Sequence, residues 1–297
     1  MLQSYQLNIT KEESVLDKWI NLETGEIKDN VIQIRTKPEV EQQRQITKHY
    51  KNNVQPLPGF LQQEYGEFIQ SNYLPLLKTI NNDTAMAFRF MYLCTYMEYE
   101  TGYLVSCNRK VDKHKLIKLL GVSPNTATNI IEYMTTHNLI LLDSTNNYYI
   151  NNIYSNKGRD IYKGEYTRVF IKSIRELYNK TDNIKSHKLL GRFILLLPYV
   201  NIYHNIICLN IKEKDINKLL LPNSRDLDKI LNISERNSDR TIKEMMTIEV
   251  DGKPAMLNIS HNKASMYAIN PAIYYGGTNL SHLKTLDGYF KVQGGLN

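Results

Sequence analysis

Apolar residues recur at helical spacing in two long stretches of the chain, at about residues 65–100 and 166–204. A short extended piece follows each stretch, at residues 103–105 in the first case and 206–209 in the second. Two shorter amphipathic segments come next, and each pair of segments is followed by a pattern typical of a β-hairpin. The pattern therefore predicts the same order of elements twice: helices, an extended piece, a helix pair and a hairpin.

An internal duplication would explain this order. Three pairs of segments resemble one another: residues 89–96 and 192–199, residues 119–123 and 230–234, and residues 148–151 and 267–270. The separation between matched segments grows along the chain, as insertions in the second copy require. The alternative is chance similarity in a chain that is rich in Ile, Asn and Tyr.

The first helix pair is predicted at Lys113–Leu120 and at about residues 124–137. Gly121 allows a sharp turn between the two helices, and Ser123 can cap the second one. The inward stripe of the second helix is predicted to contain Ala127, Ile130, Ile131 and Met134.

Polar side chains remain at the N-terminal end of this second helix, where a recognition helix meets base edges in the major groove. They are Asn125, Thr126, Thr128 and Asn129. Asn can pair with adenine through two hydrogen bonds, and Thr can bond to bases or contact a thymine methyl group. These four residues are the predicted base readers of the first unit.

Positive side chains surround the same helix pair, and across residues 104–128 only Asp112 opposes them. They are Arg109, Lys110, Lys113, Lys115 and Lys118. Contacts of this kind to DNA phosphates set the register of a protein without reading sequence. The alternative for any single lysine is a solvated helix face.

The second helix pair is predicted to have its first helix at residues 226–231 and a later helix that contains residues 240–246. Two registers are open for the start of this later helix. A match to the first unit without a gap starts that helix at Glu235, whereas an alternative uses Ser238 as its cap. Both registers leave its positive side chains outward, and Arg is the usual reader of guanine. The predicted DNA contacts of this unit are Arg236, Asn237, Arg240 and Lys243.

Residues 139–149 and 248–269 are predicted to form the hairpins, or wings, that follow the two helix pairs. The first turns through residues 143–147, which carry no positive charge and are a weak indication of phosphate contact. The second contains Asp251 and Gly252, a hairpin turn signal, and has a later tip at residues 261–263. Lys253 and Lys263 are predicted to reach phosphate or the minor groove.

We therefore expect a mainly α fold with small β-hairpins (α+β), built as tandem winged helix-turn-helix units. Residues 1–60 are predicted to form an N-terminal arm with a short hairpin, and residues 61–160 the first winged-helix unit. Residues 161–280 would form the second winged-helix unit, and residues 281–297 a C-terminal tail.

Composition agrees with a nucleic-acid partner and gives no indication of catalysis. The 297 residues carry a net charge of +7, which favours a polyanion. The three cysteines include no C-x-x-C pair, which argues against a disulfide framework or a zinc site. There is no P-loop, no metal-binding His pair, and no His-x-x-Arg that would mark a tyrosine recombinase. We expect no enzymatic activity, no cofactor and no metal.

Neither the first residues nor the longest apolar run of the sequence has the pattern of a membrane segment. The first residues of the chain lack the apolar run of a signal peptide. The longest apolar run, at residues 193–200, is interrupted by Pro198 and is too short to span a bilayer. We expect a cytoplasmic protein.

The C-terminal part of the chain carries a family resemblance. Residues 266–271 (MYAINP), followed by Gly276 and Gly277, resemble the Tyr-x-Ile-Asn-Pro…Gly ending of RepL-type plasmid replication proteins of Gram-positive bacteria and related phage proteins. Residues 22–27 (LETGEI) resemble the Thr-Gly-Glu hairpin ahead of their winged helix. The resemblance implies binding to an origin or operator through a winged helix without a catalytic centre. This chain departs from it in being longer and in carrying two such units.

The function expected from these patterns is sequence-specific binding of double-stranded DNA, with replication initiation as the biological role. One alternative is a transcriptional repressor that binds operators with the same winged helices. Another is a module that binds a host polymerase, helicase or virion component, because residues 236–263 carry five positive and four negative side chains. A monomer and a homodimer are both compatible with the sequence.

Overall fold

The computed structural model describes residues 5–7, 18–21, 27–29, 64–81, 83–158, 167–181, 183–261, 264–277 and 280–294. The chain divides into two units, residues 1–56 and 57–297. In the first unit, three short strands form an antiparallel sheet: β1 (Tyr5–Leu7), β2 (Lys18–Asn21) and β3 (Ile27–Asp29). Ile20 of β2 lies opposite Ile27 of β3, where the sequence predicts a hairpin.

The second unit contains both helix pairs. Its first half consists of β4 (Phe68–Ser71), α1 (Tyr73–Thr79), α2 (Thr84–Cys94), β5 (Val105–Ser106), β6 (Arg109–Lys110), α3 (Lys113–Leu120), α4 (Pro124–Thr136), β7 (Ile140–Leu142), β8 (Tyr148–Ile150) and β9 (Ser155–Asn156). Its second half consists of β10 (Thr167–Phe170), α5 (Ile171–Asn179), α6 (Ile184–Leu196), α7 (Ser224–Ile230), α8 (Ser238–Met246), β11 (Glu249–Val250), β12 (Lys253–Pro254), β13 (Met256–His261), β14 (Ala264–Ile269) and α9 (Leu280–Gly294), with 3-10 turns at Leu197–Tyr199 and Ile216–Lys218.

Helices and small antiparallel sheets thus make up the part of the chain that the structure describes, which confirms the predicted α+β class. A sheet in the order β10-β4-β9 joins the two halves, and α2 packs against α6. One continuous apolar core contains residues of both helix pairs, including Leu116, Ile131, Leu227 and Ile242. No helix in the described ranges is long and apolar enough to cross a membrane.

Local signals explain the first helix pair. Asp112 caps α3 by accepting a hydrogen bond from the amide of Lys115 at 2.8 Å, and Ser123 caps α4. Gly121 ends α3 with a φ of +62°, a left-handed conformation that costs glycine little. The predicted inward stripe of α4 is confirmed, because Ala127, Ile130, Ile131 and Met134 are all buried.

The second helix pair repeats this arrangement with one change. Asn223 forms a capping box at the start of α7, and Asn232 takes the left-handed position at its end with a φ of +49°. α8 begins at Ser238 with Asn237 at its cap, so neither predicted start is correct. Its buried residues nevertheless have the spacing found in α4, as expected for a match without a gap: Ser238, Thr241, Ile242 and Met245.

The described residues of the predicted second wing, 248–261 and 264–269, form two successive antiparallel strand pairs. The first, β11–β12, turns at Asp251 and Gly252, which have φ values of +54° and +70°. The second, β13–β14, pairs Met256 with Ile269, just as β7–β8 pairs Ile140 with Ile150. The longer second hairpin is therefore the counterpart of β7–β8, and β11–β12 is an insertion that packs against α5 and α9.

Candidate nucleic-acid interface

The N-terminal end of α4 presents polar side chains to solvent. Asn125, Thr126 and Asn129 are exposed and Thr128 is half-buried. The hydroxyl groups of the two threonines already have partners within the helix, because Thr126 Oγ1 lies 2.8 Å from Ser123 Oγ and Thr128 Oγ1 donates to the Pro124 carbonyl at 2.9 Å. Neither asparagine side chain makes a hydrogen bond to another described residue. Within the described part of the chain, the side-chain donors and acceptors of Asn125 and Asn129 therefore have no protein partner.

Apart from Lys118, which is exposed, the positive side chains around α3 fall into two groups. The Lys110 ammonium lies 3.3 Å from the centre of the Tyr103 ring, and Lys115 Nζ donates to the Lys110 carbonyl at 3.0 Å. Arg109 and Lys113 are exposed and form no ion pair or hydrogen bond with the described part of the protein. The first two cations are held against the protein surface, whereas the last two extend into solvent.

The corresponding end of α8 carries three exposed cations and one amide. Arg240 Nε lies 3.0 Å from Glu244 Oε1, but its side chain is still 77% exposed. Asn237 Nδ2 donates to Ser234 Oγ at 2.6 Å. Arg236 and Lys243 have no side-chain partner in the described ranges. An exposed ion pair contributes about 1 kcal/mol or less, so Arg240 can exchange Glu244 for another acceptor at little cost.

Asp228 shapes the turn that leads into α8. Its two carboxylate oxygens accept hydrogen bonds from the amides of Arg236 and Ser238, both at 2.9 Å. Burial of Asp228 favours its neutral form, but these hydrogen bonds outweigh burial and hold its pKa below the ordinary value. Arg236 adopts a φ of +67° in this turn. Asp228 therefore fixes a non-helical turn at Arg236, where the equivalent residue of the first unit already belongs to α4.

Lys253 lies in a different setting from the other predicted contacts. Its ammonium is 3.4 Å from Asp287 of α9, and its side chain is only 24% exposed. Asp287 also pairs with Lys291 at 2.6 Å. Lys253 therefore helps to attach α9 to the inserted hairpin. Lys263 lies outside the described residues.

The tip of the β7–β8 hairpin is organised by an acid. Asp143 Oδ1 accepts hydrogen bonds from the Thr145 amide at 2.8 Å and the Asn147 amide at 2.9 Å. The hydrogen bond from Asn147 is the largest contribution that holds the pKa of Asp143 well below its usual range. This tip carries negative charge at neutral pH. Like the lack of positive charge in its sequence, this charge disfavours contact between the tip and DNA phosphates.

Two observations bear on other kinds of site. The described residues contain no group of three or more His, Cys, Asp or Glu side chains able to hold a metal ion. Cys94 and Cys208 are buried free thiols, and Cys107 is exposed. Sequence reasoning missed Asp228, because an acidic residue within an amphipathic helix ordinarily indicates a solvated position.

No protein family, curated protein or solved structure matches this chain.

Proposed function

We propose that this chain is a sequence-specific double-stranded DNA-binding protein of phage or plasmid type that acts at a replication origin. In this proposal each helix pair and its following hairpin form a winged helix-turn-helix unit. α4 and α8 are the recognition helices, and the hairpins β7–β8 and β13–β14 are the wings.

The observation that carries the proposal is the open N-terminal end of α4. Asn125 and Asn129 lie four residues apart, so their side chains share one face of the helix. Both amides are exposed and unpartnered within the described chain, while the opposite face of the helix is buried in the core. An asparagine amide matches the N6 and N7 positions of adenine in the major groove.

Phosphate contacts complete the arrangement. Arg109 and Lys113 lie just before and at the start of α3, the helix that precedes the recognition helix in this reading. A cation that replaces counterions on phosphate adds affinity without adding sequence preference. The unpartnered asparagines lie on α4, whereas the unpartnered cations lie near α3. This separation favours a DNA-binding protein in which one set of residues contacts phosphates and another reads bases.

The choice of an origin over an operator comes from the resemblance to RepL-type replication proteins. Initiators and repressors recognise duplex DNA by the same physical means, so a repressor remains the alternative for the biological role. An origin role predicts that a plasmid with this gene and its cognate sequence replicates in a suitable host. A repressor would silence a promoter containing that sequence without supporting replication.

A second candidate function applies to the second unit alone. α8 mixes exposed cations with acidic side chains, and Arg240 is paired with Glu244. Mixed charge of this kind also suits a protein partner, such as a host polymerase or helicase. In that case substitutions in α8 would leave DNA affinity unchanged.

The test begins with selection of bound duplexes from a random pool, followed by affinity measurements at several salt concentrations. Binding should weaken steeply as salt rises. Lys113→Ala should weaken binding to every sequence by the same factor and reduce the salt slope by about one. Asn125→Ala should instead reduce discrimination at one base pair by about 1–3 kcal/mol.

Lys78→Ala provides the matched control, because Lys78 is an exposed lysine in the last turn of α1, outside both helix pairs. Its affinity should equal that of the unmodified protein. Wild-type binding by both the Lys113 and Asn125 variants would show that neither α3 nor α4 contacts DNA as proposed. Failure to enrich any duplex would rule out the proposed function.

A further inference from the structure

The central sheet places equivalent residues of the two halves in equivalent positions. Ser71 of β4 pairs with Ser155 on its outer side, and Val169 of β10 forms a bridge with Tyr274 on its outer side. Each outer partner lies four residues after the Asn of a Tyr-x-Ile-Asn segment. Ser71 and Val169 are therefore matched positions, and the strands that contain them, β4 and β10, are matched strands.

These matched strands pair with each other in a symmetrical register. β4 and β10 are antiparallel, with Gln70 opposite Arg168, which are themselves matched positions. The flanking pairs of the register are Ile69–Val169 and Ser71–Thr167. When each residue is replaced by its match in the other half, the pair Ile69–Val169 becomes the pair Thr167–Ser71. This is the relationship produced by a two-fold axis through the Gln70–Arg168 pair.

The central helices obey the same symmetry. Continuing the match of residues 89–96 with 192–199 back along α2 and α6 makes Thr84 equivalent to His187, and Phe88 equivalent to Gly191. The rings of Phe88 and His187 lie 5.7 Å apart, and a Cβ on Gly191 would be 1.7 Å from the Thr84 carbonyl oxygen. The close approach of residues 88 and 187 is thus repeated at the equivalent pair, residues 191 and 84.

Backbone hydrogen bonds outside the centre repeat as well. The matched pairs are Leu104 N to Tyr148 O and Ile207 N to Tyr267 O, Val105 N to Tyr96 O and Cys208 N to Tyr199 O, and Ile150 N to Gly102 O and Ile269 N to Asn205 O. Gly102 and Asn205 both have positive φ, at +72° and +57°. The repeat therefore extends from the central sheet to the hairpins that follow the helix pairs.

We infer that one chain is an internal pseudo-dimer with a two-fold axis, and that the duplex site it reads is an inverted repeat with two unlike half-sites. The inference rests on the proposed function for its ligand and on the register above for its symmetry. A rotation of 180° that carries one half and its DNA contacts onto the other also exchanges the two DNA strands. Equivalent contacts by both halves therefore require half-sites in opposite orientations, since a direct repeat would need a translation along the duplex.

The half-sites differ because the two recognition helices differ. The shared burial spacing matches Asn129 of α4 with Arg240 of α8. Asparagine suits adenine, whereas arginine suits O6 and N7 of guanine. The half-site of α4 should therefore centre on A·T pairs, and that of α8 on G·C pairs.

The experiment uses the full chain and the duplex selected from the random pool. Sedimentation of the complex counts the chains on each duplex, and affinity is measured on three further duplexes. In one, a half-site is reversed in place to create a direct repeat. In another, about five base pairs are inserted between the half-sites, which turns one of them by half a helical turn. The third contains a single half-site.

The expected result is one chain on an inverted repeat, with at least about tenfold weaker binding to each altered duplex. Asn125→Ala should relax selection in one half-site only, and Arg240→Ala in the other. A direct-repeat consensus, two chains on one site, or both variants acting on the same half-site would overturn the inference while leaving DNA binding intact. Failure to enrich any duplex would remove the proposed function and this site together.

Discussion

Asn270 and Asn151 make the same set of hydrogen bonds, one in each half of the protein. Asn270 Nδ2 donates to the Pro254 carbonyl at 2.9 Å, and its Oδ1 accepts from the Ala272 amide at 2.9 Å. Asn151 Nδ2 donates to the Asn138 carbonyl at 2.8 Å, and its Oδ1 accepts from the Ile153 amide at 3.1 Å. Each asparagine closes the base of its hairpin.

Replacement of either asparagine by alanine should therefore destabilise the fold without touching the candidate interface. Asn270→Ala should cost about 1–3 kcal/mol, because Asn270 is 1% exposed and its former partners would stay buried. Asn151→Ala should cost less, because water can reach its half-buried site. Urea denaturation measures both, with Asn129→Ala on the exposed face of α4 as the control. Equal losses for Asn151 and Asn129 would contradict the capping role.

Gly191 marks the closest approach of α2 and α6. A Cβ at this position would lie 1.7 Å from the Thr84 carbonyl oxygen, so the two helices would have to separate. Gly191→Ala should cost at least about 3 kcal/mol of unfolding free energy. Gly288→Ala in α9 is the matched control, since a Cβ there meets nothing within 4 Å. It should stabilise the protein by about 0.5–1 kcal/mol, because alanine favours helix over glycine.

Thermal or urea denaturation of the two glycine variants measures these changes in unfolding free energy. A Gly191 variant as stable as the unmodified protein would mean that α2 and α6 do not pack at this distance.

Asp228→Asn should destabilise the turn before α8, because an amide cannot accept hydrogen bonds at both ends of its side chain. The hydrogen bonds hold the pKa of Asp228 below the value of an unfolded aspartate, which is about 3.9. Its contribution is therefore present above that pH and is lost as pH falls through the lower, folded value. Denaturation midpoints of protein and variant should converge in this acid window. Glu235→Gln, an exposed neighbour, should show no such convergence, and a constant difference would argue against the Asp228 role.

Tyr178 connects the two halves, because its hydroxyl donates to the Leu120 carbonyl at 2.7 Å while its ring stacks on Tyr92 at 3.6 Å. Tyr178→Phe should cost about 1–2 kcal/mol. Burial raises the pKa of Tyr178 to about 12, so its stabilisation is complete below about pH 10 and is lost as pH rises through 12. The variant should lack this alkaline loss. Tyr289→Phe, at a side chain 58% exposed, is the control that should leave stability unchanged.

The first helix pair could be predicted from sequence because its signals are local. The cap at Ser123, the glycine at 121 and the spacing of Ala127, Ile130 and Ile131 all act within a few residues of one another. The start of α8 could not be predicted in this way. It depends on a buried carboxylate, Asp228, that reaches across the turn to amides eight and ten residues further along.

Lys253 shows that the prediction of a candidate DNA contact from sequence is limited in the same way. A lysine next to a hairpin turn has the sequence signature of a phosphate contact, and its proximity to Asp287 arises only when α9 packs on the inserted hairpin. Asn125 and Asn129 were identifiable as outward residues because helical period alone separates them from the buried stripe. Their lack of protein partners became visible only with the neighbouring side chains in place.

The amino-acid sequence by itself determined the repeated order of elements, the limits of α3, the buried stripe of α4 and the excess of positive charge near α3. These features follow from short-range periodicity, capping and composition. Only the tertiary structure decided that β4 pairs with β10 and that α2 packs against α6. Such pairings join residues far apart in the chain, and they depend on shape and burial at a shared core that no local pattern encodes.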